Sequence, residues 1–321
     1  MKKRHFLIIV LIILLLILAA LLYLYLTLVR PSQRVVTPKI KGIEHLFSIY
    51  GYGDKPDQLL SRPSGVAVDE KGNIYIADQY NDRILVFDKK GKFLFKFGER
   101  GSGPGQFERP MGIAVSPKGR IYVTDRQQHK VLIFDSKGKF IKEFRVMMPL
   151  IPRVAHNKLY LTTYGHVIIY DLDGNELAKW GRRGRDKGEF DFPNGIVIGN
   201  EGNVYVSDSN NLRLQALDKN GEVLWVVGKP PKDIWALERR FGLPAGLAID
   251  ENQKLYLVDA FHYSIRVLTN KGKELANLGG EPGDKPGQFY YAADIAYAGD
   301  GVFVVSDKYN DRVQVVRITV E

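Results

Sequence analysis

An aspartate followed five residues later by a basic side chain recurs along this chain as Asp78 with Arg83, Asp125 with Lys130, Asp208 with Arg213 and Asp307 with Arg312. A carboxylate beside a cation is material for acid–base chemistry. A catalytic pair is needed once, however, so the recurrence points to a brace repeated with a structural unit. Asn81, Asn211 and Asn310, three residues after the aspartate, supply side chains suited to the hydrogen bonds of a tight turn. His129, His166 and His262 fall in the turns after this position in three different units, and three histidines are enough to ligate zinc. His262, however, stands in the Asn slot. There is no cysteine, which excludes disulfides, thiolate metal sites and cysteine nucleophiles. The expectation is no metal, no cofactor and no catalytic residue.

Other chemistry-bearing patterns reduce in the same way. Gly101-Ser102-Gly103-Pro104-Gly105 has the composition of a phosphate cradle, but it neither leaves a parallel strand nor opens a helix. Glycine-rich stretches at 181–189 and 279–288 mark it as a recurring linker. No G-x-S-x-G nucleophile elbow is present. For nucleic acid the available groups are Arg109, Arg126, Arg153, Arg182, Arg183 and Arg185, with Tyr164, Phe261 and Tyr309 for stacking. The formal charge of +10 is misleading here, because Lys2, Lys3, Arg4, Arg30, Arg34, Lys39 and Lys41 precede residue 43 without any acidic residue among them. Taking those seven from 46 basic residues leaves 39 against 36 acidic ones, a net of +3 for the rest of the chain. Nucleic acid is disfavoured as a partner.

The elements that would position these residues are repeated. Arg62 to Gly98 and Arg109 to Phe144 read as two copies of one unit, and later copies begin at Phe192, Leu243 and Ala293. The aspartates closing the second apolar run lie at 78, 125, 208, 259 and 307, so the spacings are 47, 83, 51 and 48. The interval of 83 conceals a sixth copy, Val154 to Gly181, with Thr163 in place of the aspartate. Within each unit four short runs rich in Val, Ile, Tyr and Phe alternate with Gly, Asp, Asn and Lys turns, the pattern of an antiparallel meander. Such sheets bury both faces only by packing radially, which predicts an all-β, six-bladed propeller of four-stranded antiparallel blades. The last unit has room for three strands, and Ile43 to Gly51 supplies the fourth, so the N- and C-terminal strands should pair and close the ring.

The recurring P-x-G-[IV]-A-[VI]-D…G-x-[IV]-Y-[VI]-x-D-x-x-N-x-[RK]-[IV] resembles the NHL repeat family of six-bladed propellers over residues 43–320. The family includes RNA-binding and ligase-linked regulators, an amidating lyase and extracellular sensor domains, so the resemblance implies a fold rather than one function. The lyase holds a catalytic zinc through histidines near its channel. The corresponding slots here carry Ser64, Met111, Asn194 and Ala245, so that constellation does not transfer.

Ahead of the repeats, Phe6 to Val29 is an uncharged run of 24 residues, long enough to cross the roughly 30 Å hydrocarbon layer as a helix and longer than a cleaved signal's apolar region. The basic cluster at Lys2 to Arg4 suits an N-terminus left inside. The expected organisation is a signal anchor with its short basic start over 1–30, a juxtamembrane linker over 31–42 and an extracytoplasmic propeller over 43–321, in the cell membrane as a single-pass protein.

The leading functional expectation is a binding scaffold for a protein, peptide or glycan, including the role of subunit in a larger membrane assembly. The alternative is a channel-centred metal-dependent hydrolase or lyase. The expected docking face is built by the turns after strand two and the loops leading into strand one. Its residues are Arg109, Arg126, His129, Arg153, Tyr164, His166, Asn194, Trp235, Phe261, His262, Tyr263 and Tyr309, Trp235 lying in the long link between units four and five.

Overall fold

The computed structural model describes residues 40–230 and 240–320. They form six sheets, each of four strands hydrogen-bonded to sequence neighbours except at the closure. Blade one comprises Pro63–Val68, Ile74–Asp78, Arg83–Phe87 and Phe93–Phe97. Blades two, four and five repeat this plan from Pro110, Pro193 and Pro244, and blade three, the concealed unit, runs from Pro149 to Trp180. The first strands of successive blades contact one another in a closed cycle, that of blade six returning to blade one.

Closure is made by both ends of the propeller. Blade six holds Ala292–Gly299, Val302–Asp307 and Arg312–Val320, and its fourth strand is Ile40–Ile49. That strand runs antiparallel to Arg312–Val320 with Glu44 opposite Arg317 and Ser48 opposite Gln314. The hydrogen bonds of an ordinary sheet thereby replace two open edges.

Each blade is pressed between two others, which explains the near-continuous apolar runs of the inner strands. Every residue of Ile74–Asp78 and Arg83–Phe87 is buried, whereas the outer strand Phe93–Phe97 alternates between half-buried and exposed until its last residue, Phe97, which is buried. An apolar cluster fills each seam. Between blades one and two it includes Ile84, Val86, Phe107, Val123 and Phe134, and between six and one it includes Val66, Leu85, Phe87, Val304 and Val315. Phe107, Phe190, Phe241 and Phe289, from the loops joining blades, are essentially inaccessible to water, each worth about 1.5–3 kcal/mol of burial. Near the axis the blades approach so closely that a Cβ on Gly65 would stand 2.7 Å from Met111 O and 2.8 Å from Gly112 Cα. Glycine is required there for packing.

Among the described residues no helix is long and apolar enough to cross a membrane. The proposed span, Phe6 to Val29, lies outside them, as does Trp235.

Candidate functional site

The repeated aspartate is a brace. Asp78 accepts the Ser61 N–H at 2.7 Å, Asn81 Nδ2 at 2.9 Å and Arg83 Nε at 2.7 Å, and that guanidinium continues to the carbonyls of Asp57 and Leu59. Asp208 with Arg213 and Asp307 with Arg312 repeat the arrangement at 2.7 and 2.8 Å. Burial pushes all three carboxyls above the usual range, opposed by these same donors. Two blades depart from the pattern. In blade two Lys130 Nζ bonds Glu143 at 2.9 Å instead of Asp125. In blade five Asp259 is served by His262 Nδ1 at 2.9 Å and by Arg266 from two residues further on at 3.1 Å.

These braces hold a ring of turns around the axis. The turns end in left-handed residues, Asp82 at φ 51° and Asp311 at φ 49°, whose carboxylates accept the backbone N–H groups of Arg109 and Arg62 in the next blade, both at 2.7 Å. Arg62, Arg109, Phe192 and Tyr291 occupy one repeated position before the first strand, all with φ between 50° and 68°. Their large side chains are thereby aimed at the mouth of the channel.

A cavity of about 420 Å³ opens there, lined among others by Gln79, Tyr80, Arg109, Arg126, Asn194 and Lys308. A second hollow of about 440 Å³, lined by Arg62, Tyr80, Tyr290, Lys308 and Tyr309, shares Tyr80 and Lys308 with it. The guanidiniums lie on rings: Arg62 over Tyr309 at 4.2 Å, Arg109 over Tyr80 at 4.8 Å and Arg126 over Phe192 at 4.7 Å. Stacking orients a guanidinium while leaving its N–H edge available. Among the described residues none of Arg62, Arg109, Arg126 and Lys308 has a carboxylate within 4.0 Å. Burial, aided by the Arg62 charge, brings the Lys308 ammonium down to about 8. Its Nζ donates to Gln79 Oε1 at 2.8 Å. Asn194 Oδ1, in the wall, is buried without a hydrogen-bond partner.

Beyond this cavity the channel is bridged. Arg153 of blade three reaches across the axis to Asp294 of blade six, the opposite blade, with Nη2 donating to Oδ1 at 2.6 Å. Asp294 is 1% exposed and also accepts the Val66 N–H at 3.2 Å and its own neighbour Ile295 N–H at 2.9 Å. Burial raises its carboxyl, with Arg153 pulling the other way. A smaller apolar hollow of about 190 Å³, walled by residues such as Ala114, Val197 and Ala248, lies on the Arg153 side.

The structure brings Arg109, Arg126 and Asn194 into one cavity. Tyr309 lines the adjoining hollow, where it stacks on Tyr291 at 4.6 Å. Tyr263 and Phe261 extend an aromatic arc through Tyr290 and Tyr291 at 6.1 and 5.7 Å. Tyr164 carries Arg183 at 4.5 Å. Arg153 is different: the sequence reading placed it on the docking face, and its strand instead turns it into the channel. His129, His166 and His262 do not converge. His129 Nδ1 accepts the Met148 N–H, His262 is tied to Asp259, and burial lowers His166. Among the described residues no three His, Cys, Asp or Glu side chains come together as a metal set.

Arg62, Phe192, Tyr290, Tyr291 and Asp294 were missed by the sequence reading. For Asp294 a signal existed. In the glycine row of the first strands, Gly65, Gly112, Gly195 and Gly246 align with Ile151 and Asp294, and in the row two residues on, small aliphatic side chains align with Arg153. The two charged exceptions to the repeat are the two that pair.

Comparison with known proteins agrees with this architecture. A family model described as a six-bladed β-propeller matches residues 55–165, and an NHL repeat model matches residues 190–217. Protein brain tumor of Drosophila melanogaster is 30% identical over 173 residues, 52% of this chain and 12% of that protein. Protein lin-41 of Caenorhabditis elegans is 40% identical over 47 residues, 15% of this chain and 4% of that one. The chain thus spans a small fraction of these relatives. Among solved structures, an auxiliary nutrient binding protein from Bacteroides thetaiotaomicron is 15% identical with a TM-score of 0.65, covering 87% of this chain and 77% of its own. A virginiamycin B lyase from Staphylococcus aureus is also 15% identical, with a TM-score of 0.59 and coverage of 83% and 82%. At this identity the likeness is one of fold.

Proposed function

We propose that this six-bladed propeller with NHL repeats is a scaffold that binds a protein partner on the face carrying the axial cavity, and that residues 6–29 anchor it in a membrane with the propeller outside the cytoplasm. NHL propellers commonly serve as protein-binding scaffolds. The observation that carries the reading is the contrast between a frame repeated blade by blade and a mouth whose side chains vary around the ring, from Arg62 and Arg109 to Phe192 and Tyr291 at one position. Around that mouth Tyr80, Phe261 and Tyr309 are 52%, 54% and 44% exposed, and exposed aromatic and arginine side chains are the residue types that dominate protein interfaces. The anchor rests on the 24-residue uncharged run and the basic cluster before it.

The test is site-specific photo-cross-linking in membranes from producing cells. A benzophenone side chain at position 261 should yield a protein adduct of defined mass, and the same group at position 94 on the outer strand, also exposed, should not. Adducts from position 94 alone would move the docking surface to the blade edges.

A further inference from the structure

We infer that the axial cavity receives an acidic side chain from an extended peptide segment of the partner, with Arg109, Arg126 and Lys308 holding the carboxylate and the tyrosine-lined hollow between blades six and one taking the neighbouring residue. The inference deepens the binding reading above and rests on it.

Three observations lead to it. First, Arg109, Arg126 and Lys308 line one cavity and lack carboxylate partners among the described residues. A concave site with unneutralised cations is complementary to an anion. Stacking on Tyr80 and Phe192 orients the two guanidiniums before a ligand arrives, which lowers the entropy lost on binding. Second, Asn194 lines the same wall, and an amide NH2 there is a donor suited to a carboxylate. Third, the hollow sharing Tyr80 and Lys308 continues the site outward between Arg62, Tyr290 and Tyr309. A chain leaving the axial pocket therefore runs directly into this hollow lined by tyrosines and Arg62.

The geometry favours peptide over nucleic acid. A strand of RNA needs a line of cations at phosphate spacing and open ring faces for stacking. Here Arg62, Arg109 and Arg126 each cover a face of Tyr309, Tyr80 and Phe192, and Tyr309 and Tyr291 cover each other. A pocket of about 420 Å³ is sized for one or two residues.

The test uses the full chain in detergent micelles and fluorescence anisotropy with two labelled peptides, one alternating Glu with Leu and one alternating Gln with Leu, beside a labelled single-stranded RNA. The Glu peptide should bind at least tenfold tighter than the Gln peptide and tighter than the RNA. Arg109→Met and Arg126→Met should each weaken it about tenfold, while Arg109→Lys keeps more of the affinity because the charge remains. An anion binds the protonated form of Lys308, whose ammonium titrates at about 8. Affinity should therefore be full between about pH 5.5 and 7, where the peptide's glutamates are ionised, and fall as pH rises through 8, and Lys308→Met should abolish that alkaline fall at unchanged melting temperature. Equal affinity for the Glu and Gln peptides, or preference for the RNA, overturns the inference. If position 261 still cross-links a partner that Arg109→Met and Arg126→Met do not release, the anionic subsite is refuted while the scaffold reading stands. Loss of cross-linking in the parent chain refutes the scaffold reading itself.

Discussion

Replacing Arg153 by Met would strand a carboxylate at the centre of the ring. Asp294 is 1% exposed, and after the change it keeps only the N–H groups of Val66 and Ile295, at 3.2 and 2.9 Å. Breaking a buried pair from one side costs about 3–5 kcal/mol. The adjoining cavity lets water approach, so the lower end, about 3 kcal/mol, is expected. At about 2–4 °C per kcal/mol for a domain near this size, the melting temperature at pH 7.5 should fall by about 6–12 °C in differential scanning calorimetry. The loss should depend on pH in a definite sense. Burial already raises the Asp294 carboxyl, and removing the guanidinium raises it further. Between the ordinary value of the unfolded chain and the raised folded value, the native state holds the extra proton, so native stability falls as pH increases. The gap to the parent protein should therefore shrink on going down to pH 4.5 and widen on going up. Adding Asp294→Asn to Arg153→Met removes the charge but keeps an acceptor for Val66, and should restore more than half the loss. A penalty equal at both pH values, or a double variant melting no higher than Arg153→Met alone, would refute the buried-charge account.

Removing residues 1–39 should leave a monodisperse folded propeller, whereas removing 1–51 deletes the strand Ile40–Ile49 and unpairs the edge of Arg312–Val320, so size-exclusion chromatography should show aggregation. Arg213→Met removes one donor each from Asp208 and the carbonyls of Arg185, Asp186 and Glu189 and leaves the Asp208 carboxylate without its buried cation, and chemical denaturation should show a loss of about 3–5 kcal/mol. Lys130→Met should cost nearer 1 kcal/mol, since its partner Glu143 is partly exposed. Because the chain has no cysteine, a single Leu94→Cys gives a clean test of topology. The exposed thiol should react with a membrane-impermeant maleimide on intact cells or spheroplasts, and labelling only after lysis would reverse the orientation.

By itself the sequence determined how many blades there are and what holds each together. Recurring aspartates at 78, 125, 208, 259 and 307 set the period, and the interval of 83 required a concealed copy, because a missing blade would leave two seams unburied. Local chemistry of this kind is legible since Asp78 with Asn81 and Arg83 acts within a few residues of chain. The exceptions were legible only to that depth: Lys130 has the spacing of a brace, and its choice of Glu143 depends on the fourth strand lying alongside. Tertiary structure alone decided what meets across the ring. Arg153 and Asp294 are 141 residues apart, and nothing in their own segments says that blades three and six stand opposite. The same holds for Arg62 on Tyr309 and Arg126 on Phe192, pairs supplied by different blades. An arginine in a loop or strand looks alike in sequence whether it lines the outer rim or the axis. Its direction follows from strand alternation combined with closure, and closure is a property of the whole ring: the angle each blade turns through is set by side chains filling every seam at once.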